Sequence, residues 1–146
     1  MRLLVLDASV AAKWFLPRTG EGLTEEAFDL LRRHADGEID FTVPDLFWAE
    51  FGNVLWKAVR LGRWSETDAA RALQQMQAQR LAVVHTKDLI EDALSIALAN
   101  SRTVYDSIYI ALAVQNGAEV VTADERLANA VASRLPVKWL GALQLF

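Results

Sequence analysis

Residues Leu3–Leu6 form an unbroken apolar run that opens directly onto an acid, Asp7. A strand that is apolar on both faces must be covered on both faces, the situation of a parallel sheet packed between helices. The rest of the chain reads the same way. Helical stretches are expected at Ala8–Leu16, ended by Pro17, and, after a loop at Arg18–Gly22, at Thr24–Ala35, with Ala27, Leu30, Leu31 and His34 on one stripe. Asp36-Gly37 marks a turn before a strand at Ile39–Val43. Pro44 suits the first position of a long helix reaching about Leu61, with Phe47, Phe51, Val54, Leu55 and Ala58 inward and Gly62 as its stop. Ser65 caps a helix to about Gln79. Leu81–His85 is a third strand, and Thr86 caps a helix over Lys87–Asn100. Thr103 caps another through Gln115, closed by Asn116-Gly117. Glu119–Thr122 is a fourth strand, Asp124–Ser133 a helix, and Val137–Leu140 a candidate fifth strand.

This alternation implies a three-layer α/β/α architecture around a central, mostly parallel sheet of four to five strands. At 146 residues, 53% of them hydrophobic, the expectation is a single domain over 1–146 that buries enough surface to fold without staples. In such folds the reactive site lies beyond the C-terminal ends of the strands.

Composition removes whole classes of chemistry. With no cysteine, disulfides, iron–sulfur clusters and cysteine-based zinc sites are excluded, and with only His34 and His85, so are histidine-rich metal sites. The opening segment has the apolar character of a signal peptide, but Asp7 and Lys13 interrupt it. No apolar run reaches the roughly 18 residues of a membrane span, so no membrane association and a cytoplasmic location are expected. A net charge of −4 argues against a purely electrostatic nucleic-acid binder.

Most of the 19 acidic residues sit in polar windows or in first helical turns. Three do not: Asp7 in LLVLDASVAA, Glu50 in LFWAEFGNVLW and Asp106 in TVYDSIYIALAV. Asp124, in VVTADERL, follows the fourth strand as Asp7 follows the first. Each has an ordinary explanation. Asp7 caps the first helix; Asp106 completes a capping box with Thr103; Asp124 is a first-turn acid beside a Thr122/Glu125 capping box; Glu50 makes an ion pair or sits at the rim. One shared cause covers all four, a divalent cation. Clustered carboxylates repel by roughly 4 kcal/mol per pair at about 4 Å and an effective dielectric near 20, and a hard, oxygen-loving ion relieves that. Mg²⁺, with Mn²⁺ as a substitute, fits a chain so poor in sulfur and imidazole. A metal held this way activates water for in-line attack on a phosphodiester.

These residues resemble, in order and over essentially the full length, a PIN-domain ribonuclease, and most of all the VapC toxins of type II toxin–antitoxin pairs. LLVLDASVAAKWFLP resembles the opening strand with its acid at Asp7 and hydroxyl at Ser9; VPDLFWAEFGNVLWKAVRLGR the long helix with Glu50 and Asn53; YDSIYIALAVQNGAEVVTADERL the positions of Asp106, Thr122 and Asp124. The resemblance implies Mg²⁺-dependent RNA cleavage leaving 3′-hydroxyl and 5′-phosphate ends. It also implies a homodimer and inhibition by a VapB-like antitoxin. Asp7, Glu50, Asp106 and Asp124 would be catalytic and metal-binding, with Ser9, Asn53 and Thr122 orienting them. A non-catalytic PIN-like scaffold and a metal-dependent phosphatase are the competing readings; the second lacks the carboxylate pair it needs after Asp7.

Other residues carry weaker readings. Lys13, Arg18 and Arg102 fall near the active edge and either position RNA or are solvated charges. Trp48 and Trp56 read as core or interface; Trp14 and Phe15 read as core or as an apolar groove for an antitoxin helix. His34 and His85 read as packing residues.

Overall fold

The computed structural model describes residues 1–16 and 22–143. Five strands form one parallel sheet: β1 (Arg2–Leu6), β2 (Ile39–Pro44), β3 (Leu81–Val84), β4 (Glu119–Thr122) and β5 (Val137–Trp139), in the order β3-β2-β1-β4-β5. Among the described residues seven α-helices connect and cover them: α1 (Ala8–Ala12), α2 (Thr24–Ala35), α3 (Leu46–Arg60), α4 (Glu66–Gln77), α5 (Ile90–Asn100), α6 (Val104–Asn116) and α7 (Glu125–Val131). The α/β expectation holds, and the sheet is parallel throughout. The expected helix end at Pro17 and most of the Arg18–Gly22 loop lie outside the described residues. Among the described residues no helix is long and apolar enough to cross a membrane.

The core explains the layering. Leu4, Val5 and Leu6 of β1 are fully buried, as the apolar run requires. Phe41, Phe47 and Phe51 fill one side of the sheet, with Phe47 and Phe51 stacked at 5.9 Å between ring centroids. Each such side chain contributes about 1.5–3 kcal/mol on leaving water. Helix α6 is buried continuously from Ser107 to Ala113, between the sheet and α5. That position accounts for the apolar residues around Asp106.

Several local expectations gave way to tertiary pairing. Pro44 does not start a helix; it ends β2, opposite Val84, and the ladder continues through Asp45 N donating to Val84 O at 2.9 Å. Thr86 does not cap α5. Its amide and hydroxyl both donate to Asp45 Oδ1, and a short 3-10 turn over Thr86–Asp88 precedes the helix. Helices α1 and α7 are shorter than expected, and β5 stops at Trp139. Val54 is only half-buried. Gly62 and Gly117, at φ +71° and +60°, take the left-handed conformation that ends α3 and α6.

The aromatic and histidine expectations divide. Trp14 is buried, its indole N–H donating to Ala27 O at 2.7 Å, and Phe15 packs edge-on against Phe51, so the groove reading of this pair fails. Trp48 packs against the core, but Trp56 is 57% exposed, with the Arg60 guanidinium over its ring. His34 is a packing residue, its Nδ1 paired with Ile39 O. His85 is not: it is exposed, 3.6 Å from Asp45.

Candidate active site

The strand order changes direction between β1 and β4: successive crossovers lead from β1 outward through β2 and β3, then from β4 to β5 on the other side. Such a switch point opens a crevice at the C-terminal ends of the two central strands. Asp7 directly follows β1, and Asp124 follows β4 by two residues. Helix α3 runs back from the end of β2 and carries Glu50 near its start; α6 has Asp106 in its first turn as it approaches β4. All four acids therefore come from the same edge of the sheet.

Asp7 occupies the N-cap position of α1, yet its side chain makes no cap bond. Its Oδ2 accepts from Ser9 Oγ and from Thr122 Oγ1, both at 2.7 Å. The same hydroxyl oxygens accept the amides of Ala123 and Asp124, each at 3.0 Å. Both hydroxyl protons go to Asp7, so the 3.4 Å contact between Ser9 and Thr122 carries none. The network binds the end of β1 to the end of β4 and fixes the Asp7 carboxylate between them.

The other acids are held differently. Asp106 N–H donates to the Thr103 hydroxyl, but the reciprocal bond of a capping box is not formed. Asp124 is exposed and is itself the N-cap of α7, accepting from Leu127 N at 3.1 Å; Thr122 is occupied with Asp7 and makes no box with Glu125. Asn53 is exposed and hydrogen-bonds to none of the acids. Lys13 donates to Gly22 O, Arg102 lies within electrostatic reach of Asp106, and Arg18 is outside the described residues.

Electrostatics links the four. Burial pushes Asp7 above the ordinary carboxylate range; Ser9 and Thr122 oppose this and Asp106 adds to it. Glu50 is raised by burial, eased by Tyr109, and repelled by Asp7 and Asp106. Asp106 is raised by burial, eased by Arg102 and Thr103, and repelled by Asp124. As placed, no three acidic or histidine side chains among the described residues close around a single point.

Tyr109, which the sequence reading passed over, lies one turn after Asp106 on α6 and is only 4% exposed. Its hydroxyl faces Glu50 closely enough to ease that carboxylate, but neither Glu50 Oε1 nor the Tyr109 oxygen completes a hydrogen bond. A buried carboxylate oxygen without a donor, in a group repelled by two neighbouring acids, is a site deficient in positive charge. An all-oxygen donor set of this kind suits Mg²⁺ or Mn²⁺ and not a soft metal.

Known proteins share the sequence pattern and the fold. Residues 4–132 match the PIN domain family. The chain is 32% identical over 128 residues to ribonuclease VapC3 of Pyrobaculum aerophilum, covering 86% of this chain and 92% of that one. Its fold is shared with a crystal structure of another protein from Pyrobaculum aerophilum at a TM-score of 0.69 and 23% identity, over 96% of this chain and 85% of that one. A toxin–antitoxin complex from Klebsiella pneumoniae contains a chain matching at a TM-score of 0.60 and 16% identity, with 98% of both chains covered.

Proposed function

The chain belongs to the PIN-domain family, among the VapC ribonucleases, and from that premise we propose that its acidic crevice cleaves RNA as the toxin of a type II toxin–antitoxin pair. The observation that carries this reading is the placement of Asp7, Glu50, Asp106 and Asp124 at the same edge of the sheet, where burial and mutual repulsion push Asp7, Glu50 and Asp106 toward the protonated form. Asp7, Glu50 and Asp106 would hold Mg²⁺, or Mn²⁺ in its place, with Asp124 completing the set directly or through water. A divalent cation, when bound, neutralises these carboxylates and acidifies water for in-line attack on phosphorus.

The protein's part is orientation. Ser9 and Thr122 fix Asp7, and Thr103 anchors the turn that presents Asp106. Arg102, beside Asp106, is placed to meet a phosphate that the acids alone would repel. With water attacking opposite the 3′ oxygen, which then leaves as the family resemblance implies, the products carry 3′-hydroxyl and 5′-phosphate ends. The test compares wild type with Asp7→Asn in RNA cleavage under Mg²⁺, Mn²⁺ or EDTA. Cleavage confined to wild type with metal is expected; equal cleavage by both proteins, or 2′,3′-cyclic phosphate ends, overturns the reading.

A VapB-like antitoxin and a second copy of the chain are the proposed partners. For the homodimer, support comes from α5, where Ile90, Leu94 and Leu98 recur every four residues and are 41%, 50% and 76% exposed, while Ala93 and Ala97 face inward. Contiguous exposed apolar side chains of this kind mark an interaction surface. For the antitoxin, growth arrest on expression alone and rescue on co-expression are the expected outcomes; unimpaired growth without any antitoxin overturns it.

A further inference from the structure

Among the described residues three buried side-chain oxygens lack a hydrogen-bond partner: Glu50 Oε1, Tyr109 Oη and Ser107 Oγ. Folded proteins rarely leave such atoms unsatisfied, and each specific exception calls for a cause. Here two of the three face each other. Tyr109 is held in place by its helix: it sits within the continuously buried run of α6, three residues after Asp106, on the face that one helical turn brings under that acid. Its hydroxyl lies within electrostatic reach of the carboxylates of Glu50 and Asp7 and near the Ala8 amide.

We propose that Tyr109 is the positioning residue of Glu50: its hydroxyl donates to Glu50 Oε1 in the working site and so turns the other carboxylate oxygen toward the divalent cation. The inference rests on the metal-dependent reading given above. The chemistry of the pair supports the donor role. A phenol hydroxyl carries one proton to give, and the only carboxylate oxygen left buried without a partner among the described residues is Glu50 Oε1. Glu50 Oε1, an acceptor without a donor, is its complement. Ser9 and Thr122 already do this for Asp7, and Tyr109 supplies to Glu50 what no hydroxyl on α3 supplies. Phenylalanine at this position would fill the same volume and lack only the donor.

The test uses Mn²⁺ as probe and needs no RNA. Mn²⁺ binding is measured by electron paramagnetic resonance on the full chain for wild type, Tyr109→Phe, Glu50→Gln and the double variant, with melting of each metal-free protein as the check on folding. A hydrogen bond to a charged group sets the scale at about tenfold. Tyr109→Phe is expected to bind Mn²⁺ about tenfold more weakly while melting within a few degrees of wild type. In the Glu50→Gln background it is expected to cause no further loss. Wild-type affinity in Tyr109→Phe alongside weakened binding in Glu50→Gln overturns the proposal and leaves the metal reading intact. So do independent losses that multiply in the double variant, or a metal-free Tyr109→Phe protein that melts far below wild type, which would make Tyr109 a packing residue only. Absence of Mn²⁺ binding by wild type overturns the metal reading itself and this inference with it.

Discussion

Replacing Asp7 with asparagine is predicted to stabilise the metal-free protein while abolishing its activity. The wild-type carboxylate receives two hydroxyl hydrogen bonds on Oδ2, at 2.7 Å each, and still lies above the ordinary carboxylate range, because burial outweighs them and Asp106 repels it. The ionised form is therefore less welcome in the folded chain than in the unfolded one. Asparagine keeps an oxygen for Ser9 and Thr122 and removes the charge. The expected gain near pH 8 in EDTA falls within the roughly 0.5–3 kcal/mol span of single substitutions, a rise of a few degrees in Tm. The sign with pH follows from the raised acidity constant. Below the unfolded value of about 4 the carboxyl is neutral in both states, and the two proteins should be equally stable. As pH rises through the raised native value the wild type alone loses stability and the gap opens. Added Mg²⁺ reverses the order, since a ligand at about 100 times its dissociation constant contributes about 2.7 kcal/mol to the protein that binds it. Urea melts from pH 4 to 8, with EDTA and with Mg²⁺, give all of these quantities. A metal-free Asp7→Asn protein less stable than wild type at pH 8, or a difference that does not shrink toward pH 4, would refute the argument that the site is a set of unsupported charges.

Thr122→Val removes one of the two hydroxyls on Asp7 and the acceptor for Asp124 N, and should cost about 1–3 kcal/mol in denaturant melts. The same variant should lower RNA cleavage about 10- to 100-fold, as the loss of an orienting partner does; wild-type turnover would show that Asp7 orients itself. Leu98→Glu, on the exposed stripe of α5, should leave the monomer's stability within about 0.5 kcal/mol and shift the mass by light scattering from dimer to monomer. An unchanged dimer would place that interface elsewhere. Gly141→Ala should destabilise by about 1–3 kcal/mol, because a Cβ there would lie 2.6 Å from the Trp139 ring; a neutral effect would mean that the indole moves aside.

The class of fold was legible because its determinants are local. A short apolar run ending at Asp7 reads as a doubly covered strand, and its alternation with helical periodicities points to a parallel α/β sheet. The edge of the sheet on which Asp7 and Asp124 fall followed from the same reading. What could not be read was set by partners distant in the chain. Asp7 has the neighbours of a helix cap, and the hydroxyl that diverts it lies 115 residues away. Pro44 has the neighbours of a helix start, and its pairing with Val84 is invisible locally. Trp14 reads locally as core or as the lip of a groove, and its indole N–H donating to Ala27 O decides for the core. Tyr109 gave no signal because an aromatic residue within an apolar helix reads as packing, and only the burial of its hydroxyl distinguishes it.

The tie from Thr122 to Asp7 has a consequence for synthesis. Asp7 is made 115 residues before the Thr122 hydroxyl that holds it, and Asp124, the last acid of the crevice, comes later still. Until β4 inserts beside β1, that edge stays open and the first acid has only Ser9 to hold it. A nascent chain therefore cannot assemble the acidic crevice until β4 has been made and has paired with β1.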